Sequence, residues 1–292
     1  MKKQVLNLRP GTGTISASID SLAARASTAV LTVAALGTAP TLAQAQDDAQ
    51  DLAKKLSNPV AALISVPLQF NYDEGFGPNR EGHKTYVNFQ PVVPMSLNAD
   101  WNVISRTIVP FSYVGGVFPE DVFGIGDTAQ SFFFSPKDSG IEGFTWGVGP
   151  EFLLPTATDA DLGTGKWGIG PTAVVLYQWD AWSVGMLANH VWSVAGDEDR
   201  DDVSQTFLQP FVSYALGEGQ TLTGNFEATY DWYDDQWSVP ANLTYSKVFK
   251  VGDQSMSWVV GGRAYLVTPD GGPEFGIRSG LTFLFPEKGE AK

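Results

Sequence analysis

The chain of 292 residues has no cysteine. That removes disulfides, zinc-thiolate sites and thiol catalysis in one step. It has only two histidines, and charged residues make up just 17% of it. Long apolar runs are also scarce. The clearest, Ala29 to Leu36, is far shorter than the roughly 20 residues a membrane-spanning helix needs. Glycine is plentiful, at 31 residues, and aromatics reach 12%. This is a sheet-and-turn composition. Mean hydropathy is near zero, at −0.06. A transmembrane barrel hides its hydrophobicity in every second residue, so a neutral average is compatible with one.

The amino terminus carries Lys2, Lys3, Arg9 and Arg25 ahead of the apolar run, and Ala43-Gln44-Ala45 follows it. A basic segment, a short apolar core and a small-x-small site form the pattern of a secretory signal peptide. Residues 1–45 are therefore expected to be removed before Gln46. Removal takes away four basic residues and one acid, moving the net charge from −14 to −17. Such an acidic chain is a poor partner for nucleic acid. Cations and a cation-bridged lipopolysaccharide surface suit it better. Residues 46–58 follow with acids leading (Asp47, Asp48, Asp51), bases trailing (Lys54, Lys55) and Leu52 four before Leu56. That order predicts a short helix ended by Asn58-Pro59. It could plug a pore, dock on the periplasmic side or remain a solvated tail.

From Val60 onward, strand, turn, strand and loop repeat to the end. In the first strand Val60, Ala62, Ile64, Val66, Leu68 and Phe70 share one face, opposite Ser65, Gln69 and Asn71. Residues 73–84 read as a loop containing His83. The Phe132-Phe133-Phe134 run hides the period of the fourth strand, while the strand from Gln220 to Trp232 is the cleanest. About twelve strands are expected, each of about 10 to 13 residues, matching a bilayer crossing better than a soluble sheet. An even number with both ends on one side is the bacterial pattern. Tyr72, Trp101, Tyr113, Trp167, Trp179, Trp182, Trp232 and Trp237 sit near strand ends, where interfacial girdles lie. The predicted fold is all-β: an antiparallel up-and-down transmembrane barrel over residues 59–286, preceded by a short helix and followed by a tail, 287–292.

The last strand, Phe275 to Phe285, closes with Arg278-x-Gly280-x-x-Phe283-x-Phe285. It resembles the C-terminal signal of bacterial outer-membrane barrels, which implies that Gly280, Phe283 and Phe285 are read by the barrel-assembly machinery. Farther back, Trp146-Gly147-Val148-Gly149-Pro150, Trp167-Gly168-Ile169-Gly170-Pro171 and Phe207-Leu208-Gln209-Pro210-Phe211 punctuate long strands. With these segments the stretch from Val60 to Phe285 resembles the outer-membrane transporter family named for the phenol meta-degradation pathway. The resemblance implies a twelve-stranded, pore-like barrel in the outer membrane of a Gram-negative cell and uptake of small organic molecules. Its motifs are soft. They identify no solute and carry over no functional residue.

Catalytic and metal signatures are weak. His190 is followed by Ser193, but residues three apart on a strand face opposite sides and cannot pair. The tight spacing of an outer-membrane phospholipase is absent, so no catalytic residue is assigned. The acidic loop from Asp197 to Asp202 lacks the ligand spacing of a helix-loop-helix calcium site and reads as a solvated tip, with a weak divalent-cation site as the alternative. Gly163-x-Gly165-Lys166 lacks the spacing of a phosphate loop. No metal or cofactor is called for.

What remains is the inner wall. Gln69, Asn88, Arg106, Glu151, Asn189 and Gln209 are expected to line the pore in the first two-thirds of the chain. Asn225, Glu227, Asp231, Asn242, Arg263 and Arg278 do so in the last third. Mixed charges can orient a polar solute in a pore; equally, they can pair across a narrow lumen and fill it. The expected function is facilitated diffusion of small organic solutes, aromatic ones among them, with lipid and lipopolysaccharide as surroundings. The alternatives are a closed structural or adhesive barrel acting through its acidic loops, and a lipid-modifying enzyme using His190.

Overall fold

The computed structural model describes residues 42–286. The expected signal peptide up to residue 41 and the tail 287–292 lie outside the described residues. Helix α1, Leu42–Leu56, begins ahead of Gln46 and is followed by a sheet closed on itself. Strand β1 is Ile64–Phe76, β2 is Gly82–Phe89 resuming at Val92–Ser96, and β3 is Trp101–Gly115. Strand β4 is Val122–Ile125 resuming at Thr128–Pro136, β5 is Phe144–Leu154, and β6 is Lys166–Trp179. Strand β7 is Trp182–Gly196, β8 is Ser204–Gly217, and β9 is Gln220–Phe226 resuming at Ala228–Asp231. The last three are β10, Gln236–Val251, β11, Gln254–Val267, and β12, Phe275–Phe285. Each strand pairs antiparallel with its sequence neighbours, and β12 pairs with β1 from Ile64↔Phe285 to Glu74↔Phe275. The result is a closed twelve-stranded antiparallel barrel.

Prolines account for the three interrupted strands. A proline has no N–H to give the ladder. The break in β2 falls at Gln90-Pro91, beside Pro67. That in β4 faces Pro110, and that in β9, at Glu227, faces Pro240. Single bonds carry the pairing across: Gln90 N to Pro67 O at 3.0 Å, Gly126 N to Pro110 O at 2.8 Å and Glu227 N to Pro240 O at 3.0 Å.

Connections at the end holding both termini are mostly short: 97–100, 137–143, 180–181, 218–219 and 252–253. Those at the other end are mostly longer, at 77–81, 116–121, 155–165, 197–203, 232–235 and 268–274. The first set is the periplasmic side and the second the outer side. The outward face is apolar, with Val148, Leu243, Val260 and Ile277 about half exposed or more. Aromatic rings girdle both rims. Tyr177, Trp179, Trp182 and Tyr214 form a chain with centroids 5.4, 6.4 and 4.7 Å apart at the periplasmic rim. Tyr230 lies 4.9 Å from both Trp232 and Trp237 at the outer rim. A closed barrel with such a belt belongs in the bacterial outer membrane.

Several boundaries differ from the sequence expectation. Strand β1 starts at Ile64 rather than Val60 and runs through the expected loop to Phe76. His83 lies within β2, between the rings of Tyr72 and Tyr113. Several strands are longer than expected, β10 having 16 residues. Val60 points inward, not toward lipid. The Asn58 side chain accepts from Val60 N at 3.0 Å, and Asn58 O accepts from Ala61 N. This turn folds the chain back under the barrel, where Val60 packs with Ile104, Phe133, Val174 and Leu187.

Helix α1 is docked at the periplasmic mouth. Its Leu52 and Ala53, flanked by Ala49 and Leu56, pack against Leu63, Val248 and Leu284. Burying a leucine side chain stabilises such docking by about 1.5–3 kcal/mol. Polar contacts fix its seat. Gln50 accepts from Gly219 N at 3.1 Å, and Gln178 donates to Lys54 O at 3.1 Å. The Glu218-Gly219 turn has positive φ at both residues, 52° and 73°, as a tight two-residue hairpin requires. A Cβ on Gly219 would lie 3.1 Å from Ala49, so this glycine serves both the turn and the helix approach. Leu52→Asp combined with Leu56→Asp is expected to release α1. Limited trypsinolysis at Lys54 and Lys55 of the folded barrel would then become fast; unchanged protection would show that these leucines do not hold it.

Candidate functional site

Inward-facing side chains build the lumen in three tiers. At the periplasmic end the wall is apolar: Ile104, Phe133, Val174 and Leu187 are at most 2% exposed and close over Val60. Sequence alternation concealed this floor. Phe133 is hidden within its triple-Phe run, and the adjacent Val174 and Val175 face opposite ways, at 1% and 47% exposure.

Above the floor lies a chamber of about 460 Å³. Amides dominate its polar lining, among them Gln69, Asn88, Asn189 and Gln209, with Ile108, Val191 and Phe207 between them. Arg106 and Gln209 also line a smaller cavity of about 190 Å³ beside Leu56, Ala61 and Leu63. These two residues therefore stand between the chamber and the amino-terminal segment. A further cavity of about 430 Å³ opens at the periplasmic face between Asn58, Val60 and Lys137.

The third tier is a charge network. Glu227 accepts two bonds from Arg278, at 2.8 and 2.9 Å, and one from Arg263 at 2.7 Å. Arg263 also reaches Asp73 at 3.1 Å and donates to the Tyr86 hydroxyl. Arg278 donates to Asn71 at 2.8 Å, and Tyr265 donates to Asp73 at 3.0 Å. Two guanidinium groups thus face two carboxylates, and each of these four charges has a partner, as burial demands.

Nine of the expected lining residues face the chamber: Gln69, Asn88, Arg106, Glu151, Asn189, Gln209, Asn225, Glu227 and Arg278. The other three lie elsewhere in the interior. Asp231 accepts from Gln205 at 2.8 Å and caps the 232–235 turn through Tyr233 N. Asn242 is buried and donates to Asn225 at 2.7 Å. Arg263 is sunk in the network. Asp73, Tyr86 and Tyr265 went unassigned. The alternation of Gln69 and Asn71 leads directly to Asp73, so extending the strand would have found it.

Arg106 and Glu151 are not in the network. Backbone pairing places Arg106 opposite Ser131, and Ser131 opposite Glu151. The Ser131 hydroxyl donates to Glu151. Among the described residues Arg106 has no hydrogen bond and no ion pair.

The other candidates resolve differently. His190 faces outward beside Trp192, with Nδ1 2.7 Å from Thr206 Oγ1 and Nε2 3.5 Å from Ser204 Oγ. Among the described residues no carboxylate or amide side chain hydrogen-bonds to it. Ser193 bonds Asp202 at 3.0 Å, away from His190, as the spacing required. The acidic loop is tied down from within. Arg200 donates to Ala160 O at 2.8 Å and to Gly163 O, and Lys166 pairs with Asp202 at 3.1 Å. Bonds from Lys166 and Ser193 hold the Asp202 carboxyl below its usual range.

Fold and lumen together define an outer-membrane β-barrel with a chambered polar interior and an amino-terminal helix docked at its periplasmic end. No family model and no curated protein matches the chain. Among solved structures the fold is similar to the COG4313 outer membrane channel from Pseudomonas putida F1. Identity is 13% and the TM-score 0.61, over 77% of this chain and 96% of that one. KdgM porin matches at 12% identity and TM-score 0.44, over 76% and 99% of the two chains. Outer membrane phospholipase A from Escherichia coli matches at 10% and 0.45, over 76% and 90%. At these identities the likeness is one of fold.

Glu227→Gln would leave Arg263 and Arg278 short of a counter-charge. The expected loss is about 3 kcal/mol, the scale for breaking a buried pair, read as a lower urea midpoint of the barrel in lipid. An unchanged midpoint would remove the network from the stability of the fold.

Proposed function

We propose that the protein is an outer-membrane channel that passes small organic solutes by facilitated diffusion. The observation that carries this reading is the amide-lined chamber of about 460 Å³, whose Arg106 and Gln209 also line a second cavity beside the amino-terminal segment. Its volume lies within the roughly 300–1,000 Å³ usual for small-molecule sites. Discrimination would come from size and weak contacts along the wall, with no cofactor and no energy coupling. The resemblance of the Gly-Pro punctuated strands to the phenol meta-degradation transporter family supports aromatic molecules among the solutes. The nine chamber-facing side chains are the proposed pore lining. The outward Phe283 and Phe285, with Gly280, are the proposed signal to the assembly machinery, and lipopolysaccharide is the proposed outer neighbour.

The seated helix gives the closed-barrel reading a specific footing, since α1 and Val60 occupy the periplasmic mouth. Single-channel recording in planar bilayers separates the two. Conductance steps from the native protein, enlarged by Leu52→Asp with Leu56→Asp, are expected of a channel whose exit the helix narrows. Silence from both proteins, each folded, would favour a structural barrel.

A further inference from the structure

Two cations of this lumen have neither an ion pair nor a hydrogen bond among the described residues: Lys84, which lies over the Tyr86 ring, and Arg106. Arg263 shares Asp73 and Glu227, and Arg278 holds Glu227 on two bonds. Arg106 stands lower, where β3 leaves the apolar floor at Ile104; among the described residues it has no hydrogen bond and no ion pair, and the charges of Glu151 and Glu227 act on it only from a distance. Its nearest acid in the pairing register, Glu151, lies beyond Ser131 and accepts a hydrogen bond from that hydroxyl. No guanidinium–carboxylate contact within 4.0 Å joins the two.

An arginine that lines a chamber with no hydrogen bond or ion pair keeps its planar donor fork available. That fork matches a carboxylate through two parallel bonds, which are charge-assisted and among the strongest polar contacts. The surroundings suit an organic anion more than an inorganic one. Gln69, Asn189 and Gln209 offer further donors, while Ile108, Val191 and Phe207 offer apolar surface to a carbon skeleton. Phosphate or chloride would gain nothing from the latter.

We propose that Arg106 anchors a binding subsite for small organic carboxylates, where the solute's acid group docks on the guanidinium and its carbon body lies in the chamber above. Glu151 weakens this site by like-charge repulsion and so keeps occupancy brief, as conduction requires. The proposal deepens the channel reading and depends on it for its role in transport.

The test is isothermal titration of the full-length protein, folded in detergent, with benzoate, benzyl alcohol and inorganic phosphate. Benzoate is expected to bind more tightly than either comparison compound. Arg106→Gln should weaken benzoate by about tenfold or more, the scale of a lost charge-assisted bond. Glu151→Gln should tighten it. Equal binding of benzoate and benzyl alcohol, or tighter binding of phosphate, would overturn the proposal. Should Arg106→Gln fail to fold, the comparison of compounds on the native protein and the Glu151→Gln response still decide. Potassium chloride conductance, recorded separately, tells the two failures apart. A conducting barrel indifferent to benzoate loses only the subsite, whereas a silent one that binds benzoate through Arg106 loses only the channel.

Discussion

The barrel depends on one shared carboxylate. Glu227 comes from β9, its two arginines from β11 and β12, and the second acid, Asp73, from β1. The network therefore spans the seam where the first and last strands meet. Backbone pairing alone closes a sheet but leaves its interior to be filled, and in twelve strands that interior is wide enough to admit water. Charges that neutralise one another fill it without an uncompensated ion. The proline opposite Glu227 fits this arrangement. Pro240 breaks the regular ladder at the position where Glu227 leaves it.

Below the network the physics changes from polar to apolar. Ile104, Phe133, Val174 and Leu187 form a packed apolar floor that would be misplaced in an open pore but suits a socket. Val60 enters that socket, and the amphipathic face of α1 covers Leu63, Val248 and Leu284 next to it. The amino-terminal segment and the lower barrel wall thus form one packing unit, while the upper lumen forms another, held by hydrogen bonds. Arg106 stands at the boundary between them.

Period-two alternation made the fold legible, because lipid outside and polar lumen inside impose opposite chemistry on successive residues. Gln69, Asn88, Glu151 and Asn189 were found in this way, and all face the chamber. The alternation failed where the interior is itself apolar. Phe133 and Leu187 look like lipid-facing residues when hydrophobicity alone is read, and Val60 was placed on the wrong side for the same reason. It also failed at strand ends. Asp73 looked like loop because an acid beside glycine and proline suggests water, yet it is 2% exposed against Arg263. Pairing partners far apart in sequence, such as Asp73 with Arg263, cannot be read from local pattern.

The seat of α1 has a consequence for timing. It is composed of Leu63, just ahead of the first strand, Val248 in β10 and Leu284 in the last strand. No part of the chain can present those three side chains together until β12 has joined β1. The segment ahead of the first strand is accordingly the last to find its place. Until then its leucines lack this seat, and Asp47, Asp48 and Asp51 lie beside them in the sequence. Insertion of the helix marks the completion of the barrel.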